Sequence, residues 1–84
     1  MNNVVQRALT LTADWQPLAT QDEMASVDIQ APPSNAGLVY FRGDNGTAVP
    51  WIPGEYHTFF RVNLRDFQVR GTPGDLVTVI GGTW

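Results

Sequence analysis

The sequence contains no cysteine, no lysine and a single histidine, His57. Without cysteine no disulfide can staple the fold, and one imidazole is too few for a multi-histidine transition-metal site. The two serines, Ser26 and Ser34, have only His57 as a possible histidine base, and no phosphate loop or Gly-x-Ser-x-Gly motif is present. We therefore predict a protein that is not an enzyme, with no catalytic residue, no bound cofactor and no metal site.

The sequence also lacks long apolar runs and an excess of positive charge. No apolar stretch approaches the roughly 20 residues of a membrane span, and the first residues do not resemble a signal peptide. We expect a soluble protein that is made in the cytoplasm and has no membrane partner. Five arginines stand against eight acidic residues, for a formal net charge of −3. A negatively charged protein does not attract the negatively charged phosphates of nucleic acids, so we expect no nucleic-acid partner.

The chain has 84 residues, which is enough for one domain with a small core. A domain of this size buries only about 60–65% of the surface that its unfolded chain exposes. Small domains without disulfides or metals often gain stability by association. We therefore expect a homo-oligomer or a subunit of a larger assembly.

Alternation of apolar and polar residues dominates the C-terminal part of the sequence, and Phe60, Val62 and Leu64 share one side of a predicted strand. Pro53-Gly54 and Pro73-Gly74 fit the centres of type II turns. We predict that His57–Ile80 forms consecutive antiparallel strands in one half of the fold. The whole chain then forms an all-β domain, a small antiparallel β-sandwich or jelly-roll-like barrel of about seven short strands with little or no helix.

The N-terminal part predicts a first strand over Val4–Thr12, with Arg7 on its apolar side. The segment Trp15–Leu18 contains a proline, so we expect an edge segment with its tryptophan and leucine turned inward. Ala19–Glu23 is polar and forms either a loop or a single helical turn, and it is the one segment where we expect that helix could form. Residues 1–3 are expected to be a flexible arm, and residues 81–84 a flexible tail.

The chain offers few candidate functional residues beyond those that could contact a partner. Aromatic and arginine side chains are enriched at protein interfaces. We expect such contacts at predicted edges, tips and ends of the fold, mostly through large apolar or arginine side chains. The expected contact residues are Val4, Arg42, Asp44, Trp51, Arg61, Arg70 and Trp84.

Three stretches carry a resemblance to a known group of proteins. They are Leu9–Asp14 followed by Pro17-Leu18, Pro53–Glu55 ahead of a Phe-rich strand, and Gly71–Asp75 leading into Val77–Gly82. This rhythm of strands and turns resembles small β-sandwich virion structural proteins of tailed bacteriophages. The resemblance implies a many-copy virion component, most simply a capsid decoration (cement) protein bound to the major capsid protein or to other virion subunits.

Two other functions compete with capsid decoration. One is a tail, baseplate or receptor-binding accessory protein of a phage, built on the same sandwich. The other is a small carbohydrate-binding module in which Trp15, Trp51 or Tyr56 stacks against a sugar ring.

Overall fold

Two four-stranded antiparallel sheets pack together in the computed structural model, which describes residues 3–43 and 46–83. The strands of this part of the chain are β1 (Val4–Thr10), β2 (Gln16–Pro17), β3 (Met24–Gln30), β4 (Val39–Arg42), β5 (Val49–Trp51), β6 (Tyr56–Asn63), β7 (Gln68–Gly71) and β8 (Leu76–Thr83). The first sheet has the order β1-β8-β3-β6, and the second has the order β2-β7-β4-β5. The predicted all-β sandwich is confirmed.

The core lies between the two sheets and is built from alternate residues of the strands. In β3, Ala25, Val27 and Ile29 alternate with more exposed residues, and all three side chains lie in the core. Burying one side chain of valine or leucine size contributes on the order of 1.5–3 kcal/mol. The largest fully buried side chains are Leu11, Ile29, Val39, Leu64, Val69 and Val77.

The prediction that His57–Ile80 forms consecutive strands of one sheet is wrong. β6 and β8 belong to the first sheet, where β3 lies between them, whereas β7 belongs to the second sheet. A 3-10 turn over Leu64–Asp66 takes the chain from the first sheet to the second, and Leu64 anchors this crossing in the core. Alternation predicts the strands correctly but carries no information on which sheet each one joins.

The predicted inward side of β6 is also wrong at Phe60. The pairing of β3 with β6 shifts register between Ala25 and Val27, and the backbone of Arg61 has a φ of +53°. This irregularity adds a residue to β6, so Phe59 and Val62 both pack against the core although they are three positions apart. Phe60 is 76% exposed on the outer side.

Both Pro-Gly turns are confirmed. Gly54 and Gly74 have φ values of +92° and +95°, which residues with a Cβ rarely adopt. In each turn the carbonyl before the proline accepts the N–H of the residue after the glycine at 3.0 Å. These turns lead directly into β6 and β8 and therefore fix where those strands start.

The ends of the described chain are paired, in contrast to the predicted arm and tail. β8 continues to Thr83, so the prediction of a flexible tail is wrong over residues 81–83. The backbone N–H of Thr83 donates to the carbonyl of Asn3 at 2.9 Å, and the N–H of Asn3 donates to Thr83 Oγ1 at 2.8 Å. Residues 1, 2 and 84 lie outside the described residues. The first strand ends at Thr10 rather than Thr12.

Ala19–Glu23 is a loop, which is one of the two structures predicted for it, whereas the prediction that only this segment could form a helical turn is wrong. Ala19–Glu23 has no helical structure, and the 3-10 turn lies at Leu64–Asp66 instead. Asn63 explains the position of this turn, because its side-chain Oδ1 accepts the N–H of Arg65 at 3.1 Å and that of Glu23 at 3.0 Å. The same side chain thus caps the turn and fixes the neighbouring loop.

Candidate interaction surfaces

The outer side of the second sheet carries a stack of arginine and aromatic side chains. In the pairing of β4 with β7, Tyr40 lies opposite Arg70 and Arg42 lies opposite Gln68. The guanidinium carbon of Arg42 lies 4.3 Å from the centre of the Trp15 ring, and that of Arg70 lies 5.1 Å from the same ring. The Arg70 guanidinium also lies 5.4 Å from the centre of the Tyr40 ring. We call these five residues the arginine face.

The position of Trp15 corrects the prediction that its side chain turns inward. Gln16 of β2 lies opposite Val69, so Trp15 falls on the same outer side as Arg70. Its neighbour Leu18 is buried, as predicted. Trp15 is half-buried because it lies against two guanidinium groups, and such cation–π contacts are favourable.

Neither arginine of this face has an acidic partner in the part of the chain that the structure describes. The ion pairs found there join Arg7 to Glu23 and Arg65 to Asp22, with His57 beside Glu55. Arg42 Nε–H instead donates to Gln68 Oε1 at 2.6 Å. Among residues 3–43 and 46–83, the two guanidinium groups of the face therefore contact neutral side chains.

The inward-facing position of Arg7 is explained by its place on an edge strand. Its guanidinium extends to Glu23 and donates to both carboxylate oxygens, at 2.5 and 2.7 Å. These bonds raise the pKa of Arg7 above its usual value. The charge is thus placed at the sheet margin instead of in the core.

The outer side of the first sheet is almost free of charge. Strand pairing aligns two rows of residues across all four strands, which are Gln6-Ile80-Asp28-Thr58 and Ala8-Thr78-Gln30-Tyr56. Asp28 is the one formally charged residue in these rows, and it accepts a hydrogen bond from Thr58 Oγ1 at 2.6 Å. Exposed apolar residues on the same side include Val4 (80%) and Phe60 (76%). We call this surface, the two rows with Val4 and Phe60, the neutral face.

An aromatic groove opens between β5 and β6, which are edge strands of the two sheets. Trp51 stacks on Phe41 with ring centres 3.8 Å apart, and the His57 ring meets Trp51 edge-on at 4.7 Å. Phe59 and Phe67 extend the cluster with their ring centres 4.8 Å apart. The groove has a volume of about 440 Å³.

A hydrogen bond between a histidine and a glutamate lies beside this groove. His57 Nε2 is 2.7 Å from Glu55 Oε2, and the N–H of Ile52 donates to Glu55 Oε1 at 3.1 Å. These hydrogen bonds lower the pKa of Glu55 below its usual range, and the bond with His57 has the larger effect. The bonds hold the start of β6 against the preceding turn.

The structure distributes the predicted contact residues over different surfaces. Arg42 and Arg70 come together on the arginine face, which no pattern along the chain indicated. Val4 lies on the neutral face, and Arg61 lies exposed at the irregularity in β6. Trp51 is 5% exposed and belongs to the core, so its ring faces cannot serve as a sugar-stacking platform. The predictions for Asp44 and Trp84 fall outside the described residues.

Sequence reasoning missed Trp15 and Tyr40 as surface residues, and it missed Ile80 and Phe60. The outer side of β4 is partly covered by Trp15, whose ring lies against Arg42. The alternation of Gln68 and Arg70 with buried Val69 was the available signal for an outer polar row. It could not show that Trp15, more than 50 positions earlier, lies against that row.

The described residues contain neither a membrane-spanning helix nor a metal-binding cluster. No helix there is long and apolar enough to cross a bilayer. No three acidic or histidine side chains among those residues are grouped so that they could hold a metal ion. No family model matches this chain, and neither a curated protein nor a solved structure matches it.

Proposed function

We propose that this protein is a non-enzymatic structural protein of a tailed-phage virion, which decorates the capsid shell and stabilises it by binding through the neutral face. The β-sandwich fold agrees with the resemblance that suggested this function. The observation that carries the proposal is the neutral face itself, because two rows across four strands contain a single formal charge.

Exposed apolar residues grouped on one flat face are typical of interaction sites. Ile80 is 54% exposed near the middle of the neutral face, and Tyr56 is 64% exposed at its margin. Charged residues are depleted in the centres of protein interfaces because desolvating them is costly. The sole charge of the two rows, Asp28, already has a hydrogen-bond partner in Thr58. The hydroxyl of Thr58 does not neutralise this carboxylate, so a shell subunit that covers Asp28 has to offer it a further hydrogen-bond donor or a cation.

The mechanism is passive. Each bound copy buries apolar surface against neighbouring shell subunits, and the shell gains stability from the binding free energy of every copy. Because ligand binding stabilises only the state that binds, the effect grows with the concentration of free protein. Sheet edges supply a second kind of contact, since β1 and β6 have unpaired backbone groups at the margins of the first sheet.

The test is co-sedimentation of the purified protein with expanded empty shells of the phage that encodes it. Ile80→Lys removes the apolar centre of the neutral face and adds a charge beside Asp28. Because Ile80 is 54% exposed in the free protein, covering it buries about half an isoleucine side chain, worth roughly 0.8–1.5 kcal/mol. Desolvating the new lysine charge adds to this loss, so we expect shell affinity to fall at least tenfold. Ile52→Lys is the matched control, because Ile52 is 61% exposed but lies in the turn between β5 and β6.

The proposal predicts shell binding by the wild type and by the Ile52 variant, and weak binding by the Ile80 variant. Equal loss in both variants would refute the role of the neutral face. Binding to isolated tails without binding to shells would contradict capsid decoration and favour a tail accessory protein.

A further inference from the structure

The arginine face concentrates positive charge on an acidic chain. The sequence has five arginines and eight acidic residues. Arg42 and Arg70 give the arginine face a formal charge of +2. The rest of the chain has three arginines and eight carboxylates, and its formal charge is −5. Charge separation of this kind steers a partner of opposite sign to one surface.

The two guanidinium groups are held in place before any partner arrives. Trp15 contacts both of them, Tyr40 contacts that of Arg70, and Gln68 holds Arg42 through its Nε–H. A fixed guanidinium loses less freedom on binding than a mobile one. Its remaining N–H groups form a planar fork that matches the two oxygens of a carboxylate.

The spacing of the arginines fits an extended chain. The guanidinium carbons lie 4.3 and 5.1 Å from the same ring centre, so at most about 9.4 Å separates them. In an extended strand, residues i and i+2 point to the same side and lie about 7 Å apart. A depression of about 370 Å³, lined in part by Tyr40, Arg70 and Thr72, provides room for a carboxylate side chain beside Arg70.

We propose that the arginine face binds an extended acidic segment of a partner protein, in which Asp or Glu at alternate positions pairs with Arg42 and Arg70. The inference is independent of the phage assignment, because it concerns a different sheet and a different chemistry from those of the neutral face.

The test uses the whole protein and a capped peptide, (Glu-Thr)4, with (Gln-Thr)4 as the uncharged control. Binding is followed by NMR through the Nε–H signals of Arg42 and Arg70 and the indole N–H of Trp15. We expect saturable shifts at these three signals with (Glu-Thr)4 and none with (Gln-Thr)4. The Arg42→Gln/Arg70→Gln variant should bind (Glu-Thr)4 at least tenfold more weakly.

Two control variants separate this site from diffuse attraction. Arg7→Gln/Arg65→Gln removes the same charge away from the face, and its affinity should stay within twofold of the wild type. Trp15→Leu keeps both charges but removes the aromatic ring that both guanidinium groups contact. We expect the affinity of this variant for (Glu-Thr)4 to fall at least threefold. Circular dichroism establishes that each variant is folded.

Three results would overturn the inference. The first is the same loss of affinity in both double variants, and the second is no effect of Trp15→Leu. The third is tighter binding of an oligothymidylate than of the peptide at equal charge, which would indicate a phosphate site. If the peptide does not bind but Ile80→Lys still weakens shell binding, the inference fails and the proposed function stands.

Discussion

The sharpest test of the fold is the replacement of Gly81 by alanine. A Cβ at this position would overlap the carbonyl oxygen of Ser26 and would lie 2.7 Å from the Cα of Val27. Both are backbone atoms of β3, which pairs with β8 in the middle of the first sheet, so no side chain can rotate to make room. Overpacking costs about 1–3 kcal/mol where neighbours can adjust, and we expect Gly81→Ala to cost about 3 kcal/mol or more.

Gly82→Ala is the matched control. The nearest atom to a Cβ there is the carbonyl oxygen of Asn3 at 3.5 Å, which is ordinary contact. We expect the stability of this variant to be unchanged or raised by up to about 1 kcal/mol, because glycine in a strand carries an entropic cost.

The two variants are compared by urea unfolding, followed by tryptophan fluorescence, and by thermal unfolding. A domain of this length has a stability of about 4–13 kcal/mol, so a loss of 3 kcal/mol is a large share. It should lower the midpoint temperature of Gly81→Ala by about 12 °C or more. Equal stability of the two variants would refute the close approach of β3 and β8 at this point.

Three further predictions concern β6 and the loop that precedes β4. Phe59→Ala should cost about 2 kcal/mol and Phe60→Ala less than about 0.5 kcal/mol in urea unfolding, and the reverse order would disprove the irregularity in β6. The Asp75 carboxylate accepts the backbone N–H groups of Ala36 and Gly37, in the loop before β4, at 3.0 and 3.1 Å. Asp75→Ala should therefore lower the free energy of unfolding by about 1–3 kcal/mol, and Asp75→Asn by less, because asparagine keeps one acceptor oxygen. Equal losses in the two variants would contradict this role of Asp75. Because the pKa of Glu55 is lowered in the folded state, its contribution to stability is present above its unfolded pKa and is lost as the pH falls through the lowered value. In NMR titrations, His57→Phe should move the pKa of Glu55 back toward its usual range, and an unchanged pKa would exclude the hydrogen bond as the main cause.

Local features of the fold could be predicted from the sequence. The two Pro-Gly turns are correct because a type II turn depends on two adjacent residues and on little else. In β3 the alternation of apolar and polar residues matches the observed burial, because its inner side is fully covered and its outer side is at least partly exposed. In such places short-range preference and burial agree.

Features that depend on distant contacts could not be predicted. β7 joins the second sheet because Leu64 enters the core just before it. No residue near Leu64 in the sequence indicates that its side chain is buried there. The outward turn of Phe60 follows from the irregular pairing with β3, more than 30 positions earlier in the chain. The arginine face requires β2, β4 and β7 to be adjacent, so only strand order could reveal it.

Footprinting with hydroxyl radicals tests most directly the claim that the neutral face is the contact surface. Tyr56 and Phe60 react readily when exposed, and they are 64% and 76% exposed in the isolated chain. Their oxidation rates are measured by mass spectrometry in the free protein and in virions that contain it. We predict that both rates fall at least fivefold on the particle, whereas Ile52 in the turn before β6 stays reactive. Unchanged rates at Tyr56 and Phe60 on the particle would contradict the proposed role of the neutral face.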